Sequence, residues 1–388
     1  MMSELLETVI VAYGRTACAK ARKGSFRDSH PVEFAAQALA GVVDRVPAID
    51  REEIDDVIVG CAMPYGVQGW NISKLILQRA RFPDSVSSQT VNRFCSSGLQ
   101  ALALANNSIR CGEEAIVVAG GVESMSLVPM LPDPVTFDPW LAENRPGAYT
   151  GPGLTAEAVA ERYSVSRGDM EAMAAESHRR AAEAWAKGYF DGQIVPVSIV
   201  GPDGKSIVVR RDEGVRPDAS PGGLSSLAPC FKDGGLVTAG TSSQMSDGAG
   251  FLVMMSGAKA KEKGLRPIAR MLAFSTGGVP AEIMGIGPIV AVPKVLRKTG
   301  LGIDDMDIIE LNEAFAAQAL ACMRSLGMDP ARVNPWGGAM ALGHPLGASG
   351  AMLACKALAY LERTGGRYGM VTMCVGGGMG AAAVFERL

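Results

Sequence analysis

Two distant stretches of this chain follow one plan. Val91-Asn92 leads through a Ser/Gly-containing turn into an Ala/Leu-rich helix over about Ser97 to Cys111, then a strand that runs into Gly120-Gly121. Val333-Asn334 leads through a glycine-rich turn into a helix over about Ala348 to Arg363, then a strand that runs into Gly376-Gly377-Gly378. Upstream, the stretch from Ile303 to Ile309 echoes the stretch from Ile49 to Val59. A plan that recurs within 388 residues points to two similar half-domains with unequal loops. Short apolar runs, Asp55 to Gly60 and Glu114 to Gly121, read as buried strands. Leu99, Leu102, Ala103 and Ile109 fall near helical spacing between them. Strands alternating with helices make the fold class α/β.

The middle reads differently. From about Val122 to Asp247 come loops with Pro129, Pro132, Pro134, Pro139, Pro146 and Pro152, and a charged amphipathic helix over about Arg167 to Lys187. This is read as an insertion between the halves, placed where it could cover a site. The expected division is residues 1–121 with 248–267 as the first half, 122–247 as the insert and 268–388 as the second half.

Composition narrows the function. A net charge of −3 gives no electrostatic case for nucleic acid. No apolar run reaches the roughly 20 residues of a membrane span. The amino terminus shows no secretory pattern and the carboxyl terminus, Phe-Glu-Arg-Leu, is no peroxisomal address, so a cytoplasmic protein is expected. The eight cysteines form no Cys-x-x-Cys pair and the three histidines lie far apart, so neither zinc nor another metal is expected. A disulfide framework is not expected either. Most of these cysteines are then small buried apolar residues.

Four constellations stand apart. In Asn92-Arg93-Phe94-Cys95-Ser96-Ser97-Gly98, a strand ends at a cysteine and a helix begins. The positive end of the helix and its free N–H groups would favour the nucleophilic thiolate. The same placement suits a buried structural cysteine equally well. In Gly343-His344-Pro345-Leu346-Gly347, a histidine sits in a rigid turn before a helix, able to accept a thiol proton or donate to an oxyanion; a lone histidine is more often structural. If the duplication holds, Cys95 and His344 occupy comparable helix starts, which can face one another. Thr372-Met373-Cys374-Val375-Gly376-Gly377-Gly378 delivers a second cysteine into a loop with free N–H groups, or is simply a tight turn. In Glu310-Leu311-Asn312-Glu313-Ala314-Phe315, Asn312 could hold a water or carbonyl, although an ordinary helix N-cap is the commoner reading.

Together these segments resemble the thiolases. The matching runs include Asn92 to Ala101, Gly120 to Ser126, Asp247-Gly248-Ala249, Asn312 to Phe315, Gly343 to Gly350 and Cys374 to Gly380, in the family's order across the whole chain. The resemblance implies two βαβαβαββ halves in five layers with a loop domain inserted in the first, as a homodimer or homotetramer. It implies that Cys95 attacks the 3-keto carbon of a 3-ketoacyl-CoA and carries the acyl group. His344 would activate Cys95 and bind the enolate oxygen, with Asn312 holding a water there. Cys374 would be the acid and base, and the N–H groups of Cys95 and Gly376 a second oxyanion site. Coenzyme A would be a substrate, with no permanently bound cofactor. Arg216, in Asp212 to Pro217, would contact its nucleotide part, and Ser243, in Thr238 to Ser243, its pantetheine arm. Met284 would line the acyl end, and Phe315 would belong to the same coenzyme-binding set.

The runs Cys95 to Gln100 and Val128-Pro129-Met130 look more like degradative acyltransferases of β-oxidation than like enzymes that form acetoacetyl-CoA. A hydratase–dehydrogenase is a possible partner subunit. Two departures concern the acyl pocket and the histidine loop: Pro152-Gly153 stands where Met-Gly is common, and Trp336 where a small or polar residue is common. A ketoacyl synthase of the same superfamily would lack the second cysteine loop. A non-catalytic acyl-CoA or lipid carrier would have no need of Cys95, Asn312, His344 and Cys374. An oxidoreductase would carry a Gly-x-Gly-x-x-Gly after its first strand, which this chain lacks.

Overall fold

The computed structural model describes residues 5–130, 137–201 and 204–388. Pro132 and Pro134 lie outside the described residues. The first half runs β1 (Thr8–Arg15), α1 (Pro31–Val43), β2 (Asp56–Gly60), α2 (Ile72–Arg79), β3 (Ser87–Val91), α3 (Ser97–Cys111), β4 (Ile116–Ser124) and, after the insertion, β5 (Ser246–Ser256). The inserted stretch contains α4 (Pro152–Arg162) and α5 (Arg167–Ala186). The second half runs β6 (Ala269–Gly278), α6 (Gly287–Thr299), β7 (Ile308–Leu311), α7 (Ala316–Leu326), α8 (Leu346–Thr364), β8 (Tyr368–Val375) and β9 (Met379–Arg387).

The halves share one topology. In the first, β2 pairs parallel with β3 and β4, and β5 pairs antiparallel with β4 and β1. In the second, β7 pairs parallel with β8, and β9 pairs antiparallel with β8 and β6. The counterpart of β3 has shrunk to a single parallel bridge between Ile309 and Val333. The duplication read from the sequence is therefore real, with one strand reduced to a single pair. The two sheets meet at one residue pair, Ile10 with Ala269.

Side-chain alternation sorts the chain into layers. Val9, Val57, Val118 and Val253 face α1 and α2 in one core, and their neighbours Ile10, Ile58, Val117 and Leu252 face α3 and α8 in another. The second sheet does the same: Ile309, Met370 and Val384 face α6 and α7, while Ile308, Val371 and Ala383 face α3 and α8. A strand shows opposite faces at successive residues, so each sheet is covered on both sides. The result is five layers, with α3 and α8 as the shared middle one. No helix among the described residues is long and apolar enough to cross a membrane.

The middle layer depends on glycines. Gly98 of α3 lies against α8: a Cβ there would stand 2.8 Å from the Gly347 carbonyl oxygen and 3.0 Å from Ala351 N. Gly350 of α8 lies as tightly on the backbone of Leu99. Backbone at this separation leaves no room for a methyl group. The contact lies within the first two turns of both helices, so it brings their starts together.

Gly98→Ala is expected to force the helices apart and to lower unfolding stability by about 1–3 kcal/mol. Gly168→Ala, on α5 where nothing lies within 4 Å of the added carbon, is the control. It should be neutral or stabilise by up to about 1 kcal/mol. Denaturant unfolding of both variants measures the difference, and equal stability would contradict the close approach.

Candidate active site

Cys95 does not sit at the end of a strand as expected. Strand β3 stops at Val91, and the cysteine lies in a 3-10 turn, Phe94–Ser96, directly before α3. Phe94 takes a left-handed conformation (φ 42°), which costs a non-glycine residue energy. Hydrogen bonds hold it there. Phe94 N–H donates to Asn92 Oδ1 (2.7 Å), the Ser97 hydroxyl donates to the Phe94 carbonyl (2.6 Å), and Arg93 N–H donates to Ser97 Oγ (2.9 Å).

The Cys95 sulfur has two backbone N–H groups in reach, its own and that of Gly376. They draw its pKa down, but burial is the larger effect and pushes the thiol up to about 11. The expectation of a resting thiolate is therefore corrected. In a site this closed, loss of solvent outweighs the helix terminus.

The second cysteine loop folds back as a hairpin. Cys374 pairs with Gly380 and Val375 with Met379, and Gly377 and Gly378 turn the chain at φ of 77° and 87°. The Phe94 ring lies over Gly376, 3.5 Å from where a Cβ would stand. Cys374 is fully buried, and burial, with the neighbouring Cys95 and Cys322, raises its pKa well above the usual thiol value.

Asn312 is not a helix cap, since Phe315 occupies the N-cap of α7. It stands just past β7, its N–H donating to the Thr372 carbonyl (2.9 Å) on β8, two residues before Cys374. Its amide nitrogen lies 3.3 Å from His344 Nε2. The other ring nitrogen, Nδ1, lies 2.5 Å from Ser349 Oγ, and that hydroxyl donates to the Pro345 carbonyl (3.1 Å). A hydroxyl has one hydrogen. With that hydrogen on Pro345, Ser349 accepts from Nδ1–H, and Nε2 keeps its lone pair to accept from Asn312. Burial lowers the His344 pKa to about 4, so the ring is neutral in this tautomer. The sequence reading did not single out Ser349; its signal was a hydroxyl one turn into the helix that follows the histidine.

Two buried carboxylates also went unassigned, although both lie in quoted motifs. Glu123 accepts from the N–H groups of Ala62 (2.8 Å), Met63 (3.3 Å) and Gly347 (2.8 Å) and from Gln68 Nε2 (2.7 Å). It ties the start of α8 to the first half. Glu313 accepts from Ser177 Oγ (2.7 Å) on α5 and Asn334 Nδ2 (2.8 Å), and so ties the insert to the second half. A glutamate in a glycine-rich motif gives no sign of which distant N–H groups it will collect.

Met284 and Phe315 share one apolar cluster with Cys374, Ala314 and Met340. Phe231 meets Phe315 edge-on at 5.9 Å. Ser243 donates its N–H to the Ala314 carbonyl (2.9 Å), beside Phe315. Arg216 is exposed, and its N–H donates to His178 Nδ1 (3.1 Å). Of the nine expected site residues, the structure brings Cys95, Cys374 and Gly376 together, joins Asn312 to His344 with Asn312 bonded to the strand that carries Cys374, and places Ser243, Phe315 and Met284 on or next to the apolar cluster that contains Cys374. Arg216 stands apart at the surface. Trp336 packs within its own chain, on Tyr189 (5.1 Å), Phe190 (5.9 Å) and Tyr360 (5.3 Å). Pro152 opens helix α4, a position where proline costs nothing. Among the described residues no cluster of three or more His, Cys, Asp or Glu could hold a metal ion.

Comparison with known proteins gives concordant matches. The family model described as "Thiolase, N-terminal domain" matches residues 8–258, and "Thiolase, C-terminal domain" matches residues 265–387. The chain is 45% identical over 388 residues to the 3-ketoacyl-CoA thiolase of Bacillus subtilis (strain 168), covering 98% of this chain and 99% of that one. It is 43% identical over 385 residues to the peroxisomal 3-ketoacyl-CoA thiolase of Homo sapiens, covering 97% and 90%. A solved structure, the acetyl-CoA acetyltransferase of Bacillus anthracis, superposes with a TM-score of 0.92 at 38% identity and full coverage of both chains.

The protonation states have a direct test. Only the thiolate alkylates, and its fraction rises tenfold per pH unit below the pKa. With the thiol near 11, the rate of Cys95 alkylation by iodoacetamide should climb steadily from pH 7 to 9.5. Peptide mass spectrometry follows the site. A plateau below pH 8 would mean a preformed thiolate and would contradict the assignment.

Proposed function

The chain belongs to the thiolase family, and on that premise we propose that it is a 3-ketoacyl-CoA thiolase, an acetyl-CoA acyltransferase working through an acyl-Cys95 intermediate. It cleaves a 3-ketoacyl-CoA with coenzyme A, giving acetyl-CoA and an acyl-CoA shortened by two carbons. The observation that carries this reading is the neighbouring pair Cys95 and Cys374, with the Gly376 N–H at the nucleophile and the Asn312–His344 pair bonded to the strand that carries Cys374.

The chemistry follows from those groups. His344 Nε2 carries the ring's lone pair, which exchanges the Asn312 amide for the Cys95 thiol and takes its proton. Burial raises the thiol and lowers the imidazole, so the neutral pair is favoured at rest and proton transfer accompanies attack on the 3-keto carbon. The N–H groups of Cys95 and Gly376 receive the developing oxyanion; such a donor is worth about 3–4 kcal/mol in the transition state. The bond between C2 and C3 then breaks, its electron pair moving onto the thioester as an enolate. His344, now protonated, and Asn312, through a water, hold the enolate oxygen. Cys374 gives its proton to C2, and acetyl-CoA leaves. Cys374 next takes the proton of incoming coenzyme A, whose sulfur attacks the acyl-Cys95 carbonyl, and Cys95 departs and takes its proton back from His344. Covalent capture divides one difficult transfer into two.

Coenzyme A lies along Ser243 and the Arg216 segment, with the acyl chain against Met284 and Phe315. A homodimer or homotetramer, a cytoplasmic location and a hydratase–dehydrogenase partner belong to the same reading. A second reading, an enzyme that forms acetoacetyl-CoA, has one observation in its favour: the acetyl-CoA acetyltransferase structure that superposes on the full chain.

Thiolysis of 3-ketoacyl-CoAs from four to sixteen carbons by the purified protein decides between them. Activity above four carbons supports the degradative reading, and activity confined to four carbons supports the second. Cys95→Ala should abolish turnover. His344→Ala should lower kcat by about 10²–10⁴. Asn312→Ala should lower it by about 10²–10³. Acyl-CoA binding without cleavage at any length would leave only a carrier.

A further inference from the structure

The segment read as the nucleotide contact is anchored at several points. Asp212 takes a bidentate ion pair from Arg15 (2.7 and 2.9 Å) and the Cys18 N–H (2.7 Å). Glu213 accepts from the N–H groups of Lys20 and Ser25, both at 3.0 Å. Arg216 N–H rests on His178. Between these anchors, the carbonyl of Gly214 faces inward and meets one side chain, that of Gln244.

Gln244 directly follows Ser243. Its amide nitrogen donates to the Gly214 carbonyl (2.9 Å) and to the Met340 carbonyl (3.0 Å), which uses both its hydrogens. Its main-chain carbonyl accepts the His344 N–H (3.0 Å) and the Ser246 hydroxyl (2.8 Å). The fit is close, because a Cβ on Gly214 would stand 2.9 Å from that amide nitrogen. One residue thus touches the segment carrying Arg216, the short helix that precedes His344 and the backbone of His344 itself.

We propose that Gln244 is a positioning residue that locks the coenzyme-binding segment to the catalytic histidine, so that coenzyme affinity and histidine alignment depend on one side-chain amide. This rests on the reading of residues 212–217 and Ser243 as coenzyme contacts. Fold stability does not hinge on the amide, since Arg15, Lys20, Ser25 and His178 also hold the segment. Loss of the amide frees the segment's inner edge and the turn before His344 together.

Two variants of similar length test this. Gln244→Met removes both donors. Its KM for coenzyme A should rise about tenfold and its kcat fall about tenfold at every pH, because two inward-facing carbonyls lose their partners. Gln244→Glu keeps the length and shape but sets carboxylate oxygens against the Gly214 and Met340 carbonyls, and a glutamate is ionised across the working pH range. It should therefore show both losses at least as strongly as Gln244→Met. A purely structural role would lower the melting temperature and leave KM for coenzyme A and kcat of the folded enzyme unchanged. Wild-type values of KM and kcat in either variant would overturn the proposal. Calorimetric titration with coenzyme A runs beside the kinetics. If the wild-type protein binds coenzyme A without thiolysis, the functional reading fails while the dissociation constants of the variants still decide the role of Gln244.

Discussion

The approach of α3 to α8 at Gly98, Leu99, Gly347 and Gly350 governs where the reactive groups can stand. Each half begins its central helix after a turn that bears one candidate catalytic side chain, Cys95 before α3 and His344 before α8. Neither half holds a site alone. Glycines let the two backbones touch, and the touching pair is sealed between two sheets by alternating apolar side chains. Glu123 adds a tether from the first half to the first turn of α8. The carboxyl ends of β7 and β8 then present Asn312 and Cys374 to the same spot.

Burial is the second constraint, and it acts against the charges the chemistry needs. It raises both thiols and lowers the imidazole, so the resting site is neutral. A neutral site avoids the cost of burying charge. On the proposed reading, charge appears only when a substrate is present to share it, with the N–H groups of Cys95 and Gly376 at the sulfur. The Ser349 hydroxyl matters here because it selects the tautomer that leaves the lone pair on Nε2.

Much of this was legible in the residues. The helix Ser97 to Cys111 was read to its final bounds, because its apolar spacing is regular and Gly112 follows. The duplication was visible in paired Val-Asn and glycine signals. The third strand of the second half was not, since it survives as one bridge at Val333 and a single pair leaves no pattern. Asn312 looked like an N-cap because an asparagine before a helix usually is one; the true cap lies three residues on. The thiolate expectation failed for a different reason. Position at a helix start can be read from sequence, but depth of burial depends on the insert and the opposite half. Glu123, Glu313 and Gln244 were overlooked likewise, because each collects partners from segments far away in the chain.

The central claim is that Cys95 becomes the acyl carrier. Mixing the protein with a 3-ketoacyl-CoA in the absence of free coenzyme A, quenching in acid and mapping the adduct by mass spectrometry tests it most directly. The account predicts one acyl group, two carbons shorter than the substrate, on the peptide containing Cys95, and no adduct in Cys95→Ala. An acyl group on Cys374, or turnover with no adduct on either cysteine, would contradict it.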